Sequence, residues 1–202
     1  METSLTELKK SPLYSEELGI ALASDDDREY FKWFLASVLF GGRISETIAK
    51  HTYQTFAEHS LLTPGKILQT GWDYLVYPIM REGGYVRYDG RKSTQILRDC
   101  EQLLSDYNGS LKQLHEVATD ARDLEQRLLA FYGVGPVSVN IFLRELRPFW
   151  HKANPMPLPV VRELAAEHGI DLESIKPKTL TFCRIEAGLI RQRKQLSKRR
   201  RE

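Results

Sequence analysis

The sequence predicts an all-α protein, and three observations predict it. No segment sustains the apolar–polar alternation of a strand. Apolar residues return instead at spacings of three and four, and those stretches are bracketed by capping residues and glycine stops. Ser24 ahead of Asp25, Asp26 and Asp27 marks a helix start: a hydroxyl cap, then acidic groups at the positive end of the dipole. Tyr30, Phe31, Phe34, Leu35, Val38 and Leu39 trace a helix buried on one side, and Gly41-Gly42 ends it. A second helix is expected from about Ser45 to Glu58, with Ile48, Ala49 and Phe56 inward. Thr63-Pro64 opens a short third one, a cap followed by a first-turn proline. The apolar stretch from Tyr74 to Met80 is broken off by Gly83-Gly84, and Gly84 to Lys92 reads as a loop carrying aromatics and positive charge. Ile96, Leu97, Cys100, Leu103, Leu104 and Tyr107 mark an amphipathic helix closed by Asn108-Gly109. Asp120 caps the next, with Leu124, Leu128, Leu129 and Phe131 on one side, and an apolar helix follows from Val137 to about Leu146. Four prolines between Pro148 and Pro159 bar regular structure there. Two helices finish the chain, near Val160 to His168 and Lys178 to Leu196.

Composition narrows the classes. The 202 residues suffice for one core or for two small lobes sharing a cleft. An apolar fraction of 42% and a charged fraction of 28% are those of an ordinary globular protein. No apolar run approaches the roughly 20 residues that cross a bilayer, and Met1 to Lys10 lacks the apolar core of a signal peptide. A cytoplasmic address is expected, nucleoid-associated if the source is prokaryotic, with no membrane partner. Cys100 and Cys183 read as buried thiols, neither disulfide framework nor metal site. The net charge of +2 is unevenly placed: Arg191 to Glu202 carries seven Lys or Arg and one Glu. Such a tail suits phosphate contacts, since each neutralised phosphate releases a counterion; a solvated, frayed terminus is the alternative.

The most informative stretch is Leu128 to Asn140. A helix ends, Gly133 and Gly135 frame the apolar Val134, and a new helix begins at once. Glycine at both positions permits positive φ and clears side chains from the turn. The new helix offers unpaired N–H groups and a positive dipole end, which together make a phosphate site. Pro136 suits its first position, where a missing N–H costs nothing.

With Phe40-Gly41-Gly42-Arg43, the segment Val86 to Lys92, and Asn108-Gly109 before Phe131-Tyr132-Gly133-Val134-Gly135, the order of elements resembles the helix-hairpin-helix DNA glycosylases, the endonuclease III-like superfamily, over about residues 24 to 170. The resemblance implies two helical lobes around a DNA-binding cleft. Residues 24–146 would form a barrel lobe that includes the hairpin (about 124–146). Residues 1–23 and 147–202 would form a second lobe bearing the basic tail. It implies damaged double-stranded DNA as partner, a monomer, and one nucleotide flipped into the cleft. Gly133, Val134, Gly135, Val137 and Ser138 would make the phosphate-binding hairpin. K+ or Na+ could sit on the main-chain carbonyls of Leu129, Phe131 and Val134, and no other cofactor is required. Tyr88 stands at the wedge position, where a large side chain fills the space of a flipped base. Arg43, Arg87, Arg91 and Lys92 are candidate phosphate or orphan-base contacts.

The pattern breaks at the chemistry. The nucleophilic lysine of bifunctional members corresponds to Val137, which forms no Schiff base, so no lyase activity is expected. The usual aspartate falls at Pro157, and no Asp occurs from Val137 to Pro159. The glutamate of adenine-removing members corresponds to Ala36, and a single C-terminal cysteine leaves no iron–sulfur cluster to expect. One such loss commonly costs about a hundredfold to ten-thousandfold in rate. Glu145, Glu163 and His151 flank or lie in the proline-rich segment and are the substitutes available there. Three readings stay open: a monofunctional glycosylase with non-standard catalytic residues, a catalytically inactive module that recognises damaged or distorted DNA, and a helical domain with no nucleic-acid role.

Overall fold

A computed structural model describes residues 4–199, with side chains to residue 193. Every regular element among them is helical, and no strand occurs among the described residues. Two four-residue helices, α1 (Leu5–Leu8) and α2 (Tyr14–Glu17), precede the first long one, α3 (Asp27–Phe40). The order continues α4 (Glu46–Glu58), α5 (Pro64–Thr70), α6 (Trp72–Tyr74), a π-type turn over Leu75–Met80, α7 (Asp89–Tyr107) and α8 (Leu111–Val117). It closes with α9 (Ala121–Leu129), α10 (Pro136–Leu146), α11 (Pro159–Glu167) and α12 (Leu180–Arg199).

Most caps lie where side-chain chemistry puts them. Ser45 accepts the Ile48 N–H ahead of α4, Thr63 the Lys66 N–H ahead of α5, and Asp120 the Asp123 N–H ahead of α9. Asn108 and Gly109 both take left-handed φ, 51° and 78°, after α7. Three expectations are corrected. The cap of α3 is Asp26, which accepts the Arg28 N–H, while Ser24 closes a 3-10 turn and Asp25 turns left-handed. The helix read from Ile96 onward begins seven residues earlier, at Asp89, so Asp89 to Lys92 form its first turn instead of a loop. Helix α8 was not expected; Ser110 caps it through the Gln113 N–H, a signal that the preceding Asn108-Gly109 stop obscured.

The large core is built around α3. Trp33 is fully buried and donates its indole N–H to the Phe142 carbonyl of α10 at 3.0 Å, while Phe34 meets Phe142 edge-on at 5.6 Å. Burial of each such side chain stabilises by about 1.5–3 kcal/mol. Leu13, Tyr14 and Leu22 join this cluster from before residue 24, and Trp150, Cys183 and Ala187 from after residue 146. A smaller cluster of Leu8, Val161, Leu164, Ala165, Ile185 and Leu189 joins α1, α11 and α12. Between the two clusters lies a buried ion pair: Arg147 donates to Glu186 and to the Pro155 carbonyl, tying the proline-rich segment to α12. Cys100 and Cys183 are both buried free thiols. No helix among the described residues is long and apolar enough to cross a membrane.

Candidate functional site

Three loops distant in sequence meet where glycine is the only residue that fits. Gly41 ends α3 with helical φ of −71°, so positive φ is not its reason for being there. A Cβ on Gly41 would stand 1.9 Å from Ser138 Oγ and 3.2 Å from Ser138 Cα, which presses the α3–α4 turn onto the first turn of α10. At Gly42 a Cβ would lie 2.8 Å from the hydroxyl of Tyr85, the buried residue that precedes the Val86–Tyr88 loop. Gly133 combines φ of +71° with a Cβ position 3.1 Å from Gln95 Cδ, which seats the α9–α10 turn on α7. The φ of Gly135 is −103° and a Cβ there would meet open space, so only one of the two turn glycines needs the left-handed region.

Gly135 is the N-cap of α10 and, lacking a side chain, caps nothing. The first helical bond runs from Val139 N–H to the Gly135 carbonyl. The Val137 and Ser138 amides therefore stand in the first turn, at the positive end of the dipole, without an intrahelical acceptor. Val134 is buried and anchors the turn, while Tyr132 is 45% exposed and carries the Arg98 guanidinium 4.3 Å above its ring. Phe131 O accepts the Val134 N–H at 3.2 Å. Among the described residues no group of three or more His, Cys, Asp or Glu is placed to hold a metal ion.

On the neighbouring loop, Tyr88 takes left-handed φ of 66°, is 53% exposed, and lies under the Arg87 guanidinium at 5.0 Å. Arg43, Arg87 and Arg91 are exposed. Lys92 departs from the expected surface role: its Nζ turns inward, donating to the Val38 carbonyl at 3.1 Å and to Gln95 Oε1 at 2.7 Å. Burial pushes its ammonium down to about 8, against the pull of Asp99, whose carboxyl burial pushes up to about 8. Lys92 thus neutralises the carbonyl end of α3 and fixes the turn that follows. Arg98 was missed by sequence reading, yet its spacing of seven from Arg91 puts the two on one face of α7.

Beside the exposed Val137 side chain a cavity of about 180 Å³ opens. Val137, Ile141 and Arg144 of α10 form one wall; Phe40, Ile44 and Glu46 come from the α3–α4 turn; Tyr14, Leu158 and Ile190 close it. Tyr14 donates its hydroxyl to Glu46 Oε2 at 3.3 Å, and Lys50 bridges Glu46 at 2.7 Å and Glu17 at 2.6 Å. Lys50, Arg144 and Arg191 all face the Tyr14 ring, at 5.5, 5.5 and 4.3 Å, and burial, then Glu46, push the Tyr14 hydroxyl upward. Glu46 was not singled out from the sequence, where it reads as an ordinary first-turn acid.

None of the three substitutes named from the sequence lines this cavity. Glu145 is fully buried and accepts the Tyr14 and Ser15 N–H groups at 3.0 and 2.9 Å, a structural cap for α2. Glu163 is exposed on α11. His151 is exposed too, its ring edge-on to His115 at 4.7 Å. Leu158, next to Pro157, does line it. Within the basic tail, Arg191 is engaged with Glu17 and the Pro12 carbonyl and Arg193 is exposed. The Lys194, Lys198 and Arg199 side chains, and Arg200 and Arg201, lie outside the described residues. No family model, no curated protein and no solved structure matches this chain.

Proposed function

We propose that the chain is a DNA-binding protein of base-excision-repair type, built on the plan of the helix-hairpin-helix DNA glycosylases. One observation carries the reading. The uncapped first turn of α10, with the Val137 and Ser138 amides, is held against Gly41, and the adjacent Gly42 against Tyr85 just ahead of the Tyr88 loop, by close approaches that exclude a side chain on either glycine. A backbone phosphate is the ligand that such an amide pair and dipole attract. Exposed Arg43, Arg87, Arg91 and Arg98 add the sequence-independent attraction that duplex binding needs. Tyr88, exposed and steadied by Arg87, is the wedge, and the cavity beside Val137 receives the displaced base. The two lobes of this plan centre on the large and small hydrophobic clusters. K+ or Na+ belongs to the same proposal: the Leu129, Phe131 and Val134 carbonyls are neutral hard oxygens of the kind such ions take, and a bound ion would stiffen the turn.

The reaction is hydrolysis of the N-glycosidic bond, without a lyase step because Val137 has no amine. A second reading, a module that recognises damaged duplex without cutting it, is favoured by one observation: Glu145, Glu163 and His151 all lie off the cavity. Duplexes carrying single lesions, assayed for base release with Gly135→Asp as the binding-deficient control, separate the two. Release that the control abolishes supports the glycosylase. Salt-sensitive binding without release supports the reader.

A further inference from the structure

The cavity beside Val137 is lined by a buried arginine that carries an unpaired polar group. Its volume of about 180 Å³ is roughly six waters' worth, smaller than drug-sized pockets and suited to one small ring system. Its walls are apolar or aromatic except for Glu46 and Arg144. Arg144 is 2% exposed and its Nε–H has no hydrogen-bond partner among the described residues, an arrangement that costs free energy. Glu46 supplies an acceptor at the first residue of α4, steadied by Lys50 and the Tyr14 hydroxyl.

We infer that this cavity recognises a neutral, flat nucleobase through a lactam edge, its ring carbonyl accepting from Arg144 and the adjacent ring N–H donating to Glu46. The inference rests on the DNA reading above and names the substrate class within it. Uracil, hypoxanthine and guanine-type rings carry that edge; adenine and its ethenylated form do not. A guanidinium is the side chain that pairs well with such a carbonyl, and a carboxylate the one that accepts from a base N–H.

The test measures equilibrium binding to duplexes that differ at one nucleotide: undamaged, uracil, hypoxanthine, 1,N6-ethenoadenine and 3-methyladenine. The wild type is expected to prefer the uracil and hypoxanthine duplexes over the undamaged one by about tenfold or more. Measured below the melting temperature of each variant, which Arg144→Met lowers by removing the cation beside buried Glu145, Glu46→Gln and Arg144→Met should each erase most of that preference, a loss of about ten- to a hundredfold, while affinity for undamaged duplex is kept. Arg144→Lys, which keeps the charge and removes the planar fork, guards against misfolding and should lose the preference too. A preference for ethenoadenine or 3-methyladenine overturns the inference. So does a lactam preference that survives both Glu46→Gln and Arg144→Lys, or one lost together with undamaged-duplex binding. Binding to every duplex with equal strength overturns the inference and leaves the DNA reading standing. Binding to none overturns both.

Discussion

Replacing Gly135 by aspartate separates stability from binding. The φ of −103° suits any residue and a Cβ there meets nothing, so the substitution introduces no strain. An aspartate at an N-cap accepts a first-turn N–H and complements the dipole, which is worth about 0.3–1 kcal/mol over glycine. The same carboxylate occupies the amides offered to a phosphate and stands about 5 Å from its charge. At an effective dielectric between about 20 and 80 the repulsion is about 1–3 kcal/mol, a loss of roughly five- to 150-fold in duplex affinity. One phosphate contact fewer should also flatten the plot of log affinity against log salt by about 0.9. Fluorescence anisotropy against a lesion-free duplex, run at several salt concentrations beside a thermal melt, reads all three quantities. An unchanged or higher melting temperature with weaker, less salt-dependent binding is the expected result. Undiminished affinity in a folded variant would refute the assignment of α10's first turn as a phosphate site.

Other perturbations follow from single contacts. Gly41→Ala drives a Cβ into Ser138, whose backbone lies only 3.2 Å from it, and should cost about 1–3 kcal/mol; a melt within 1 °C of wild type would contradict that packing. Glu145→Ala leaves the Tyr14 and Ser15 amides and nearby Arg144 uncompensated, for a loss of about 3–5 kcal/mol in denaturant unfolding. Glu145→Gln, which keeps one acceptor, should retain any base release below its melting temperature, and selective loss of turnover would make Glu145 catalytic after all. His115 is buried against Trp150, 4.6 Å from its ring, and burial, then His151, Lys152 and Lys178, push its imidazole down to about 4. The unfolded chain takes up that proton near 6.5 and the folded chain only near 4, so stability falls as pH drops through that window. His115→Phe keeps the stack and removes the proton, so the stability difference between the two proteins should vary between pH 4 and 6.5 and be flat above 7. A difference constant across the whole range would show that His115 does not resist protonation.

The helical class, most caps and the α9–α10 turn were legible in the sequence because they rest on local physics. A serine, threonine or aspartate satisfies amides two or three residues away, and apolar spacing declares a buried face whatever it packs against. The Tyr88 and Arg87 loop was legible for the same reason: exposed aromatics and cations beside glycines need no distant partner to be noticed.

What only the tertiary structure decided is which charges are spent. Glu145, Lys92 and Arg191 read as available groups along the chain, yet each is consumed by backbone amides, a carbonyl or an ion pair contributed from far away in sequence. Glu46 and Arg144, unremarkable in the sequence, acquire significance because α3, α4 and α10 enclose a cavity around them. Gly41 and Gly42 read as a helix stop and prove to be contact points, since a close approach depends on the partner's position and leaves no local signal. Long-range packing allocates desolvation, and desolvation determines whether a charged side chain is structure or site.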